Sequence, residues 1–323
     1  MRATALKHAI KTSPLVKAMM RGVVIPPVRG YMRYAPWTLG KSSVWRAMTM
    51  HYYGLEPLDA HFVGKTIFGS RMGSNAQDCV GRYIYYFGVW EPNQTAWIRR
   101  RLRAGDGVID VGANVGYYTL LASQLVEAGK IVSIEALPAL YGVLQKNLEM
   151  NKAKNVRAVN CAAWDREAQL AIYTRASDLP GQTTVMPSWA ERYQLQTQVQ
   201  VPAAPLAAIV TVEEFRSARI IKIDVEGAEW RVLAGMEPLM RGGRDDLEIM
   251  IEVNPSALEA EGRTPEEVFD FFAGFGFHAY QFENDYLAER YIRREAPIPP
   301  KRVRGLPTEQ ADIVFSRVEA ETL

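Results

Sequence analysis

From residue 108 onward, short apolar segments alternate with longer amphipathic ones, and this alternation constrains the chain more than any other feature of its sequence. Residues 108–111, 131–135, 156–160, 219–224 and 247–253 read as strands. Residues 119–126, 140–148 and 230–236 carry apolar side chains at helical spacing. Thr264-Pro265-Glu266-Glu267 is a capping box with proline at the first helical position, opening a helix through Val268, Phe269, Phe271 and Phe272. Residues 278–282 and 312–315 supply the last strands. Strands that alternate with helices predict an α/β fold with a mostly parallel sheet covered on both faces. Ligands of such sheets bind beyond the carboxyl ends of the strands.

The 323 residues are 48% hydrophobic and 23% charged, which excludes wholesale disorder. Cys79 and Cys161 are too few for a disulfide framework or a multi-cysteine zinc site. The four histidines, His8, His51, His61 and His278, show no helical metal-pair spacing. No apolar run approaches the ~20 residues of a membrane span. A soluble, cytoplasmic protein without a signal peptide is expected.

Three regions are expected. Residues 1–50 are a basic extension with nine Lys/Arg and no Asp/Glu, against a net −7 for the rest. Within it, Leu6, Ala9 and Ile10 share one helical face; Ser13-Pro14 then caps a second helix with Leu15, Val16, Met19 and Met20 as its stripe. Two readings follow: a peripheral anchor on an anionic membrane face, or an arm packed on the main domain, the second being preferred. Residues 51–103 form a small cap unit, with β-prone Lys65-Thr66-Ile67-Phe68 and Arg82-Tyr83-Ile84-Tyr85-Tyr86-Phe87 followed by a helix from Pro92. Residues 104–323 form the catalytic domain, with an insertion at about 168–205 that reads equally as a substrate lid or an exposed loop.

The first strand leads into Asp110-Val111-Gly112-Ala113-Asn114-Val115-Gly116. The glycines allow a tight strand-to-helix turn and close approach of a ligand to the backbone. Asp110 suits an ammonium group. Glu135, at the end of the second strand, can accept both hydroxyls of a ribose. The spacing departs from the dinucleotide fingerprint, whose middle glycine makes room for a pyrophosphate; here Asn114 takes that place. S-adenosylmethionine, with an ammonium, a ribose and no phosphate, matches better than a nicotinamide dinucleotide.

Three stretches, VIDVGANVGYYTLL (108–121), IKIDVEGAE (221–229) and Gly88-Val89-Trp90-Glu91-Pro92, resemble the FkbM family of S-adenosylmethionine-dependent methyltransferases. The resemblance covers roughly residues 80–290. It implies a Rossmann-like class I methyltransferase fold with a seven-stranded sheet whose last strand is antiparallel. It also implies O-methylation of a hydroxyl on a sugar, glycan, polyketide or related metabolite. Carried over, Asp110, Gly112, Asn114 and Gly116 would meet the methionine end, Glu135 the ribose, and Asn160, Cys161 and Ala162 the adenine. Asp224 would lie beside the methionine portion or the substrate, and Glu91 would reach the cofactor. Family members often have Glu-Pro where this chain has Glu135-Ala136.

If the fourth strand stays extended, Lys222, Asp224 and Glu226 share one face. Lys222 then needs a buried partner, for which Glu252 on the next strand is expected, with Asn254 beyond it. Methyl transfer to an alcohol needs alignment of acceptor, methyl and sulfur, and a base for the hydroxyl proton. Glu226 is the expected base, Asp224 its neighbour and His278 a second candidate. Asp224, Glu226 and Asn254 also offer hard oxygen ligands for Mg²⁺. The alternatives are a non-catalytic, partner-binding methyltransferase fold at a membrane surface, or methylation of a nitrogen acceptor. Nucleic acid is not an expected partner, and oligomeric state is left open.

Overall fold

The computed structural model describes residues 14–49, 61–75, 78–174, 183–185, 187–192, 194–195, 197–283 and 286–323. The first expected amphipathic helix, Ser13, and all of residues 175–182 lie outside them. The chain divides into two compact units. One holds residues 1–90 and 285–296, the other 91–284 and 297–323. The division therefore falls at Trp90/Glu91 rather than at residue 103, because the helix from Pro92 packs within the second unit.

In the first unit, α1 (Pro14–Met19) runs through a π-helical turn (Met20–Val24) into α2 (Ile25–Tyr34), followed by α3 (Lys41–Thr49). A hairpin, β1 (His61–Lys65) and β2 (Arg71–Asn75), precedes α4 (Cys79–Phe87). The second β-prone segment, Arg82 to Phe87, is thus helical. Asp78 caps its start by accepting from Gly81 N at 3.1 Å, and Gly88, at φ 77°, ends it. Its aromatic side chains bury Tyr83, Tyr86 and Phe87 with Met32, Ala288, Tyr291 and Ile292. Tertiary burial here overrides strand propensity.

The second unit carries α5 (Pro92–Arg101), β3 (Gly107–Val111), α6 (Tyr117–Val126), β4 (Ile131–Ile134), α7 (Pro138–Asn151) and β5 (Val156–Val159). A four-stranded sheet follows, made of β6 (Ala162–Trp164), β7 (Ala168–Thr174), β8 (Thr183–Thr184) and β9 (Thr197–Pro205), in the order β6-β9-β7-β8. Then come α8 (Val212–Ser217), β10 (Ala218–Ile223), α9 (Glu229–Met236), β11 (Glu248–Val253), α10 (Pro255–Ala260), α11 (Pro265–Ala273), β12 (His278–Gln281), β13 (Lys301–Arg302) and β14 (Ala311–Ser316). The main sheet has the order β13-β12-β14-β11-β10-β3-β4-β5. It contains the seven expected strands, plus β13 as an eighth, two-residue edge strand. β5, β4, β3, β10 and β11 are mutually parallel, while the last strand, β14, is antiparallel to both its neighbours. This is the class I methyltransferase architecture. Every residue of β3, β4 and β10 is buried, as a sheet covered on both faces requires.

Strand direction places the functional residues. The carboxyl ends of β3, β4, β10 and β11 open at one edge. His278 begins β12 and pairs with Ser316, which also pairs with Glu248 at the start of β11. His278 therefore stands at the opposite edge, where its Nδ1 lies 2.7 Å from the Arg302 guanidinium. It is not among the residues at the carboxyl edge.

Candidate active site

Parallel register sets Ser133, Asp110 and Lys222 side by side across β4, β3 and β10. Asp110 is 1% exposed. Its Oδ2 accepts from Thr119 Oγ1 at 2.5 Å, and Thr119 Oγ1 lies 2.8 Å from Ser133 Oγ. Its Oδ1 is buried with no hydrogen-bond partner among the described residues. A buried acceptor left open in this way is uncommon in a folded chain. Burial pushes the Asp110 carboxyl above its ordinary range, against the pull of Lys222 and the Thr119 hydrogen bond.

Lys222 Nζ sits 2.8 Å from Asp224 Oδ2 and 5.2 Å from the centre of the Tyr118 ring. Burial alone would lower its affinity for the proton, but the charges of Asp224 and Asp110 outweigh burial and raise it. Lys222 is level with Met250, so its partner is Asp224 and not the expected Glu252. Tyr118 in turn donates its hydroxyl to Glu91, which brings that carboxylate to the same group. Glu91, Asp110 and Asp224 thus surround one ammonium.

Beyond Ile223, which pairs with Ile251, Asp224 emerges level with Glu252, which pairs with Asp312 of β14. Glu252 accepts from Gln310. Burial first, then the charges of Asp224, Glu229, Asp312 and Glu226, push its carboxyl up to about 10.

The extended geometry expected through Glu226 stops at Ile223. Glu226 and Gly227 turn left-handed, at φ 57° and 99°. Glu229 Oε1 accepts from Val225 N at 3.1 Å and Gly227 N at 3.2 Å, and so fixes the turn. Glu226 is exposed at its crest, and its carbonyl accepts from Thr184 Oγ1 at 3.4 Å. A non-glycine residue in this conformation is strained, and such strain concentrates at functional sites.

Glu135 is 7% exposed. Its two oxygens accept from Asn114 N at 2.7 Å and Leu137 N at 2.8 Å. Asn114 is left-handed, at φ 52°, which aims its N–H at Glu135. Asn160 Nδ2 donates to the carbonyls of Glu135 and Ala136, both at 2.8 Å, clamping the exit of β4. The carboxylate keeps lone pairs for further donors. Cys161 donates to the Ala162 carbonyl at 3.4 Å, its thiol pushed up by burial, and Ala162 begins β6. Gly112 and Gly116 take left-handed φ, 78° and 89°, as the expected tight turn requires, and they have a further reason besides. A Cβ on Gly112 would stand 1.8 Å from the Asp224 carbonyl oxygen, and one on Gly116 2.6 Å from Leu144 Cδ1. They let elements of this chain approach each other.

Asn254 caps α10, its Oδ1 accepting from Ser256 N and Ala257 N, so that oxygen is taken up by the helix rather than turned to Asp224 and Glu226. Among the described residues no group of three or more His, Cys, Asp or Glu could hold a metal. Sequence reasoning missed Thr119, Ser133, Tyr118 and Asp312. A threonine within the apolar run of α6 was the available signal.

Burial raises both Glu135 and Glu229 from about 4.5 to about 7. Each binds a proton more tightly folded than unfolded. Their contribution is complete below pH 4.5, falls as pH rises through 7 and is flat above. Urea titrations should show wild type losing roughly 1–3 kcal/mol between pH 5 and 8 from these groups. Glu229→Gln should lose less over the same interval; an equal loss counts against Glu229 as a source.

Residues 110–279, more than half of the chain, match the methyltransferase FkbM domain. The chain belongs to the FkbM methyltransferase family. A relative named Methyltransferase 1, from Beauveria bassiana, is 28% identical over 145 residues, 40% of this chain and 58% of its own length. The 31-O-demethyl-FK506 methyltransferase FkbM of Streptomyces tacrolimicus is 26% identical over 161 residues, 42% of this chain and 61% of its own. The chain thus spans less than two thirds of both these relatives. A solved FkbM methyltransferase from Methylobacillus flagellatus is 13% identical, with TM-score 0.37 over 73% of this chain and 52% of the other.

Proposed function

We propose that this chain transfers a methyl group from S-adenosylmethionine to a hydroxyl of a small molecule or glycan. The observation that carries the reading is the open, buried Oδ1 of Asp110 within a group of three carboxylates and one ammonium. Such a group favours a cationic ligand. When bound, S-adenosylmethionine supplies an electrophilic methyl on sulfur. Asp110 and Asp224 hold the ammonium end. Glu135, fixed by two backbone N–H groups, accepts the ribose hydroxyls, and the Asn160–Ala162 segment borders the adenine. Lys222 anchors Asp224 so that its carboxylate does not swing with solvent. Glu226 would take the proton from the acceptor hydroxyl, and the transfer supplied by the bound cofactor would break its methyl–sulfur bond and leave S-adenosylhomocysteine. A relative named as a 31-O-demethyl-FK506 methyltransferase supports an oxygen acceptor.

Isothermal calorimetry with S-adenosylmethionine and S-adenosylhomocysteine tests the cofactor. Both should bind wild type, and Asp110→Asn should bind each ~10–100-fold more weakly, the worth of a charged hydrogen bond. No heat from either compound would refute the reading. With an acceptor in hand, Glu226→Gln should keep cofactor affinity and lose ~10²-fold in kcat. Near-normal turnover removes Glu226 as the base.

A further inference from the structure

The first unit carries a surface that the transfer reaction does not use. From Pro14 to Tyr34 the backbone is helical without a break, through the π turn at Met20–Val24. One side of this run faces the unit's own core: Ile25 and Met32 are buried, and Val28 and Tyr31 pack beside them. The other side is exposed and apolar, with Leu15 at 83%, Val23 at 67% and Tyr34 at 71%, joined by Met19. Trp37 and Leu39, just beyond, are as open. From Leu15 to Gly40, no residue with a described, exposed side chain is charged. Arg29 and Arg33, in the same stretch, turn their guanidinium groups to the carbonyls of Tyr85 and Lys65. A stretch of this length whose described exposed side chains are all uncharged is unusual on a protein surface.

Charge tells what covers it. Residues 1–50 hold nine Lys/Arg and no acid, while the rest of the chain is net negative. An apolar helical face within a segment that carries no acid is complementary to anionic lipid: apolar side chains enter the interface and an exposed cation such as Arg46 meets headgroups, while Arg29, Arg33 and the buried Lys41 are held within the unit. Tryptophan and tyrosine at its rim suit the headgroup level. Among the described residues no helix is long and apolar enough to cross a membrane, so the face lies along the surface. We infer that the outward face of residues 15–39 docks this protein on an anionic bilayer.

Flotation of the full chain with vesicles tests this. Equal mixtures of phosphatidylcholine and phosphatidylglycerol should carry more than roughly tenfold as much protein as phosphatidylcholine alone, and high salt should reduce the difference. The double substitution Leu15→Glu with Val23→Glu should abolish flotation while leaving the thermal midpoint and S-adenosylhomocysteine binding unchanged. Trp37→Ser with Leu39→Ser provides a second disruption, at a site beyond the helix. Flotation that ignores lipid charge, or that survives both double substitutions, overturns the proposal. So does a concentration-dependent dimer in sedimentation velocity that these substitutions dissolve without any lipid effect, because the occupant would then be a second copy of the chain.

Discussion

Lys222→Met should lower the unfolding free energy by about 3–5 kcal/mol, the usual consequence of removing one partner from a buried ion pair. The ammonium lies between Asp224, 2.8 Å away, and Asp110, its register neighbour on β3. Methionine fills the space and makes contact with the Tyr118 ring, but it leaves the 1%-exposed Asp110 carboxyl without a countercharge. Urea titration at pH 7 measures the loss. Asp110→Asn in the same background should return part of it, because the coupling between neighbours is then absent. Two losses that simply add would mean the pair is energetically independent, contrary to its geometry. The variant should also be stabilised more than wild type by saturating S-adenosylmethionine, whose cationic end can partly replace the missing ammonium.

Gly112→Ala is the second severe change. Its φ of 78° already disfavours a side chain, and the new methyl would stand 1.8 Å from the Asp224 carbonyl oxygen. Nothing flexible gives way there, since the obstacle is backbone at the end of β10. Relief requires β3 and β10 to separate at the edge where Asp110, Lys222 and Asp224 meet. The expected cost is about 4 kcal/mol or more, with loss of cofactor binding. Gly105→Ala is the control. It has a similar φ, 88°, but no atom within 4 Å of the added methyl, so only ~1–2 kcal/mol of conformational strain is expected. Equal midpoints for the two variants would show that strain, and not the approach of the strands, sets the cost.

The parallel sheet was readable because period and composition agree: β3, β4 and β10 are buried throughout and are written almost wholly in apolar residues. Asp110 and Glu135 stood out as acids ending such strands. What escaped reading depended on neighbours. Arg82 to Phe87 has strand-like composition, yet Asp78 before it and Gly88 after it are helix punctuation, and burial decided between them. Glu226 looked like the third of three alternating charges because sequence does not show where a strand ends; Glu229, three residues on, ends it by taking two backbone N–H groups. The Lys222 partner was misassigned for the same reason, since register between strands is a tertiary fact. His278 stood open as a base until strand direction placed it at the far edge.

The position of β14 has a consequence for how the molecule is made. This strand, Ala311–Ser316, lies between β11 and β12, though both precede it in the chain. During synthesis β11 emerges with one flank bare, and β12 meets only the two-residue β13 before residues some thirty positions later arrive. Such distant pairing is slow and leaves unsatisfied edges in the meantime. Completion of the sheet accordingly waits on β14. Truncating the chain before residue 311 should leave β11 and β12 as sticky flanks, and the product is expected in the aggregated fraction even though every residue at the carboxyl edge except Asp312 is present.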